Sequence, residues 1–157
     1  NTGTIDGHLS IEDGNIGGII GWLDKGHKFE YNESYCTLSN TRAPGTKGTS
    51  EVGGLIGQHG NYDSCPGEGR GCKVRCDISY DYSNEKWYGM LLGYFWSTHT
   101  VVLGTEDEPI IVLGGSMTYS GGTTQITAEN YTKYTNHSSA GGNSGSKPFT
   151  VHVKFGE

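Results

Sequence analysis

Four cysteines, Cys36, Cys65, Cys72 and Cys76, are the residues of this chain best suited to react with one another. Structural zinc would need cysteine or histidine pairs at short fixed intervals, and the Cys72/Cys76 spacing with no nearby histidine does not supply them. Disulfide formation is the chemistry that remains, with three pairings open to four cysteines. His8, His27, His59, His99, His137 and His152 are scattered and read as surface or turn residues. Glu106-Asp107-Glu108 offers the hard oxygens that calcium takes, yet as a bare acidic turn it reads as solvated. Asp77, Asp81 and Glu85 are the candidates for sugar cleavage, which takes two carboxyls held ~5 to 10 Å apart across a cleft. They share one short segment and nothing sets them across a groove, so no catalytic residue, metal or cofactor is expected.

What positions the cysteines is a repeat. Gly17-Gly18-Ile19-Ile20-Gly21 returns as Gly53-Gly54-Leu55-Ile56-Gly57 and, altered, as Gly89-Met90-Leu91-Leu92-Gly93, each step being 36 residues. Ile16, Val52 and Tyr88 precede the three copies. A fixed period of this size marks a stacked architecture. A few apolar residues bracketed by glycine make a short strand that turns sharply at its ends and buries too little to stand alone. Stacked in register, such strands would fill a narrow core with the columns Ile16/Val52/Tyr88 and Ile20/Ile56/Leu92. The expected fold is therefore all-β: a short parallel β-solenoid (β-helix) of about four rungs, with residues 16–20, 52–56 and 88–92 as adjacent strands of one sheet.

On that scaffold Cys36-Thr37-Leu38-Ser39 and Cys76-Asp77-Ile78-Ser79 hold the same place before an apolar-centred strand, so Cys36 is paired with Cys76. Neighbouring strands lie within the separation a disulfide tolerates. Cys65 is then left for Cys72, across Pro66 to Gly71. Two disulfides imply an oxidising, extracytoplasmic location.

Composition agrees with a thin core. Glycine at 27 of 157 residues is more than twice the usual share, and 10 Tyr and 3 Trp accompany it, a turn-rich β composition. Eleven Lys and Arg in a chain of net charge -6 never cluster, so a nucleic-acid partner is not expected. No apolar run approaches the ~20 residues of a membrane span. The chain opens on Asn1 without a signal-like segment, which suggests a processed protein or an excerpt.

Along the chain, residues 1–120 read as the repeats and 121–136 as a cap, with Thr127 opening a short helical turn. Residues 137–147 read as a flexible linker and 148–157 as an amphipathic terminal strand. Asn1-Thr2-Gly3-Thr4-Ile5 followed by Ile16 to Trp22, then Val52 to Gly57, with cysteine ahead of the next strand, resembles the GLUG-type repeats of large bacterial surface and secreted proteins. Gly114-Gly115-Ser116 through Ile126 to Tyr131 is similar to the segment that closes such arrays. The resemblance implies a right-handed parallel β-solenoid on a cell surface, often in adhesive proteins, and implies no reaction.

The repeat offset places Trp22, Gln58 and Tyr94 in one outward column; with Trp96 these aromatics are the candidate glycan contacts. Asn32, Asn130 and Asn136 open N-glycosylation acceptor triplets. Two functions follow. In the first the chain is an extracellular subunit of a filament or adhesive fibre whose partners are copies of itself, with Phe149, Val151, Val153 and Phe155 completing a neighbour's sheet by β-augmentation. The linker, reaching ~18 Å on average, permits that exchange. In the second it is a monomeric surface module binding glycan or host protein through its aromatic face.

Overall fold

The glycine pairs sit at bends between strands, where two stretches of backbone approach too closely to leave room for a side chain. The computed structural model describes residues 3–11, 14–23, 27–40, 50–59, 67–80, 88–95, 101–119, 122–135 and 149–156. The protein is all-β. A first circuit of the chain runs β1 (Gly3–Ile11), β2 (Gly14–Gly17), β3 (Ile20–Leu23) and β4 (Lys28–Glu30). A second runs β5 (Asn32–Asn40), β6 (Ser50–Gly53), β7 (Ile56–His59) and β8 (Gly67–Arg70), and a third β9 (Lys73–Tyr80), β10 (Tyr88–Gly89), β11 (Leu92–Phe95) and β12 (Val101–Leu103). There follow β13 (Ile110–Tyr119), β14 (Gly122–Gln125), a 3-10 turn (Tyr131–Tyr134), β15 (Phe149–Val151) and β16 (Val153–Phe155).

Corresponding strands pair in parallel. The long sheet has the order β1-β5-β9-β13-β14, with β16 also on β13; the others are β10-β6-β2, β11-β7-β3 and β15-β12-β8-β4. Ile16, Val52 and Tyr88 are in register, as are Ile20, Ile56 and Leu92. Both columns are those expected, but they belong to two sheets. The segment 16–20 is not one strand, because the chain bends at Gly18-Ile19 and leaves one sheet for the next. Ile20 at the open end is only half-buried, whereas Ile56 and Leu92 are fully buried.

The bend is held by a repeated hydrogen-bond pattern. Gly18 N donates to Gly53 O at 3.1 Å, and Ile19 N and Ile20 N both donate to Leu55 O at 3.0 Å. One circuit on, Gly54 N donates to Gly89 O, while Leu55 N and Ile56 N donate to Leu91 O. After the third copy the same three donors meet the 3-10 turn: Met90 N reaches Tyr134 O at 2.7 Å, and Leu91 N and Leu92 N reach Thr135 O at 3.0 and 3.2 Å. The cap is thus a cap of backbone carbonyls. Thr127 opens the turn before it, accepting from Asn130 N and Tyr131 N through its carbonyl; the flanking residue of the 3-10 turn is Asn130, without a side-chain cap.

The terminal strand lies on its own chain. Val101–Leu103 pairs with Phe149–Val151, and Ile110–Val112 with Val153–Phe155. His152 makes the corner, donating to Leu103 O and accepting from Ile110 N. Val151, Val153 and Phe155 pack on the core, with the Phe155 ring 5.8 Å from that of Tyr131. The strand and its alternation are as expected, but the edge it fills is β12 and β13 of the same chain. The linker 137–147 lies outside the described residues.

Alternation along β5 and β9 turns Ser34, Cys36 and Leu38, and Val74, Cys76 and Ile78, inward. They join Leu55, Ile56, Leu91, Leu92 and Leu103 in the core, where each buried Leu or Ile contributes about 1.5 to 3 kcal/mol. Outside, the parallel register sets Glu30 against Arg70 at 2.8 Å and Glu33 against Lys73 at 2.8 Å, and Glu108 from the turn after β12 reaches Arg70 at 3.0 Å. The acidic turn 106–108 therefore gives Glu108 to Arg70. Between β4 and β5 the corner is Tyr31, at φ 54°, and its counterpart is Gly71, at φ 60°. The Tyr31 ring lies where a Gly71 side chain would project, and the Phe29 ring covers Gly69 in the same way.

A Cβ on Gly53 would overlap the Ile56 carbonyl, which is fixed backbone, while one on Gly122 meets nothing nearer than 3.6 Å. Gly53→Ala is expected to lose at least ~2 kcal/mol of stability in urea denaturation and Gly122→Ala under ~1. Ile56→Ala should lose about 2 to 5 kcal/mol. Equal stability of the two glycine variants would remove the close-packed bend.

Candidate functional site

Because β3, β7 and β11 are in register, Trp22, Gln58 and Tyr94 stand in one file on the flank of the bend. Beside them on β2 and β6 are Asn15 and Glu51, also in register. The two files meet: Asn15 Nδ2 donates to Gln58 Oε1 at 2.8 Å. Exposure divides the group. Trp22 is 56% exposed, whereas Gln58 and Glu51 are 6% and 2% exposed and Tyr94 is half-buried. Burial, and then the Glu51 charge, push the Tyr94 hydroxyl above its ordinary range. An aromatic ring in solvent near a half-buried phenol has the make-up of a ligand site, the ring supplying contact area and the hydroxyl orientation, while the Gln58 amide and Glu51 carboxylate are buried.

Trp22 and Tyr94 thus stand where the repeat put them, and Trp96 lies outside the described residues. Glu51 and Asn15 were missed, although a signal existed: each precedes the apolar column at Ile16 and Val52 by one residue, with the same 36-residue step. Asp77 accepts from Ser116 Oγ at 2.7 Å; Asp81 and Glu85 are outside the described residues. No group of three or more metal-ligating side chains occurs among the described residues.

Several expectations change. Asn32 faces inward, 8% exposed, with its Nδ2 donating to Glu30 O at 3.0 Å, so the folded chain has no room for a glycan there. Asn130 uses both ends of its amide within the closing turn, accepting from Thr127 N and donating to Gln125 O, each at 2.8 Å. Asn136 is outside the described residues. Cys36, Cys72 and Cys76 are buried and carry no disulfide bond in this structure. Cys72 is fully buried and donates to Arg70 O at 3.4 Å, while Cys65 is outside the described residues.

A second aromatic group closes the far end of the stack. Tyr88 stacks on Tyr119 at 5.4 Å, and Met117, Thr123, Thr124 and Tyr134 complete the hollow around them. Burial, with the Tyr119 and Tyr134 hydroxyls as smaller causes, pushes Tyr88 up to about 12. Comparison with protein-family models, curated proteins and solved structures finds no match. No helix among the described residues is long and apolar enough to cross a membrane.

Tyr88 gives a pH prediction. The folded chain keeps this proton to about pH 12 and the unfolded chain to about pH 10, so between them the folded state binds more protons. Stability must fall as pH rises through that window. Urea midpoints measured from pH 9.5 upward should drop, and Tyr88→Phe should flatten the drop. An unchanged slope in that variant would mean that Tyr88 titrates normally.

Proposed function

We propose that this chain is a short parallel β-solenoid of the GLUG-repeat kind, part of an extracellular or cell-surface protein, and that it acts as a self-contained module binding glycan along the Trp22–Gln58–Tyr94 file. The observation that carries the reading is this file itself: an exposed indole stacked in register with a buried amide and a half-buried phenol. A pyranose ring presents C–H groups to an aromatic face and hydroxyls to neighbouring polar atoms, and this file offers the exposed Trp22 indole and the half-buried Tyr94 phenol. The terminal strand supports the self-contained form, since it already fills an edge of its own chain. Glu51 is buried beside this file, and the reading is one of binding without cleavage.

The second reading is the filament or adhesive fibre. It is favoured by one observation, that β1, β2, β3 and β4 are each an edge strand of their sheets among the described residues. Open edges of this kind template pairing with another chain. Head-to-tail growth would then exchange the 148–157 strand between copies while making the same contacts.

Two measurements decide. On a glycan array followed by calorimetry, Trp22→Ala should weaken binding at least ~10-fold, the loss of one aromatic contact of about 1.4 kcal/mol, without lowering the melting temperature. Binding by the variant equal to the parent, or no binding to any glycan, sinks the proposal. In light scattering across a concentration series the intact chain should stay monomeric, and deletion of residues 148–157 should yield a less stable monomer. Polymers lost on that deletion would establish the filament instead.

A further inference from the structure

We propose that Cys36 and Cys76 are joined by a disulfide when the chain folds in the presence of a small-molecule disulfide, and that the bond forms before the core closes. Ser34 pairs with Val74 and Thr37 with Asp77, so Cys36 and Cys76 occupy the same position on adjacent parallel strands, both facing inward. Such strands lie ~4.8 Å apart, inside the Cα separation of roughly 4.4 to 6.8 Å that disulfides adopt. Both thiols meet the same hydroxyl: Ser34 Oγ stands 3.6 Å from the Cys36 sulfur and 3.3 Å from that of Cys76. Between the paired positions the other residue on β9 is Arg75, which is exposed and so faces away from the two thiols.

The timing follows from what encloses the pair. Cys36 is 3% exposed and Cys76 fully buried, under the Gly18 and Gly54 carbonyls at 4.0 and 3.6 Å. Contact with Cys36 and burial raise the Cys76 thiol well above its ordinary range. A folded, reduced molecule therefore presents no thiolate and no path for an oxidant. While the strands are still assembling, one cysteine thiolate attacks glutathione disulfide, forming a mixed disulfide and releasing one glutathione thiolate. The second cysteine thiolate attacks the protein sulfur of that mixed disulfide and releases the other. Two cysteine protons and two electrons leave the protein, and one glutathione disulfide becomes two glutathione thiols. The bond spans residues 36–76, one complete circuit, so it ties β5 to β9 in the long sheet. This inference stands apart from the glycan reading and would survive its failure.

The test refolds denatured, reduced full-length protein in a glutathione redox buffer and maps peptides without reduction. A Cys36–Cys76 peptide, lighter by two hydrogens than its reduced pair, is the expected product. Protein secreted through an oxidising compartment is mapped in parallel, which covers a chain that refolds poorly in vitro. Folded, reduced protein given the same buffer should stay unoxidised, with both thiols alkylated only after denaturation. Cys36 and Cys76 recovered as thiols from both oxidising routes, or Cys36 joined to Cys65 or Cys72, overturns the proposal. Rapid oxidation of the folded, reduced protein overturns the order of events.

Discussion

The fold depends on one constraint: the three N–H groups at each bend point along the stack and must meet carbonyls of the following circuit. Buried donors left unmet are costly, so wherever the stack stops a substitute has to be found. Gly53 and Leu55 serve the first bend, Gly89 and Leu91 the second, and Tyr134 with Thr135 the third. The first two acceptors come from repeats and the last from an unrelated turn. The same constraint accounts for the constancy of the 36-residue step here. Elsewhere Gly3 pairs with Asn32 and Glu33 with Lys73, so the stretches between bends absorb changes in length.

Much of this was legible because a register repeats. The columns Ile16/Val52/Tyr88 and Ile20/Ile56/Leu92, and the register of Trp22, Gln58 and Tyr94, required only the offset, although Gln58 was expected to face outward and is buried. The bend inside 16–20 was not legible, since Gly-Gly-Ile-Ile-Gly reads equally as a strand with loose ends until the partner backbone is seen. Inward or outward direction was similarly lost for Cys72 and Asn32. Both sit at the first inward position after a corner, where the left-handed residue, Tyr31 or Gly71, resets the alternation. The terminal strand shows a further limit: alternation in Phe149 to Phe155 reveals one apolar face and is silent about whose edge that face will cover.

The site and the core draw on the same device in different ways. Inward, stacking turns identical positions into a continuous apolar column. On the flank of the bend it lines up unlike residues, so that indole, amide and phenol at Trp22, Gln58 and Tyr94 become neighbours though 36 residues separate each from the next. The charged pairs Glu30–Arg70 and Glu33–Lys73 arise likewise. Exposed pairs of this kind add little stability each, and their effect is to make slipped registers costly by juxtaposing like charges.

Phe29 over Gly69 and Tyr31 over Gly71 extend this dependence in another direction. Each ring stands in for a side chain that the adjacent strand does not have, a form of aromatic rescue. Neither partner then has an independent size. In any lineage of this chain the residues at 29 and 69, and those at 31 and 71, must co-vary, bulk at one position excluding bulk at the other. A change at either glycine is viable only after its aromatic has shrunk, so the order in which the two mutations arrive is itself constrained.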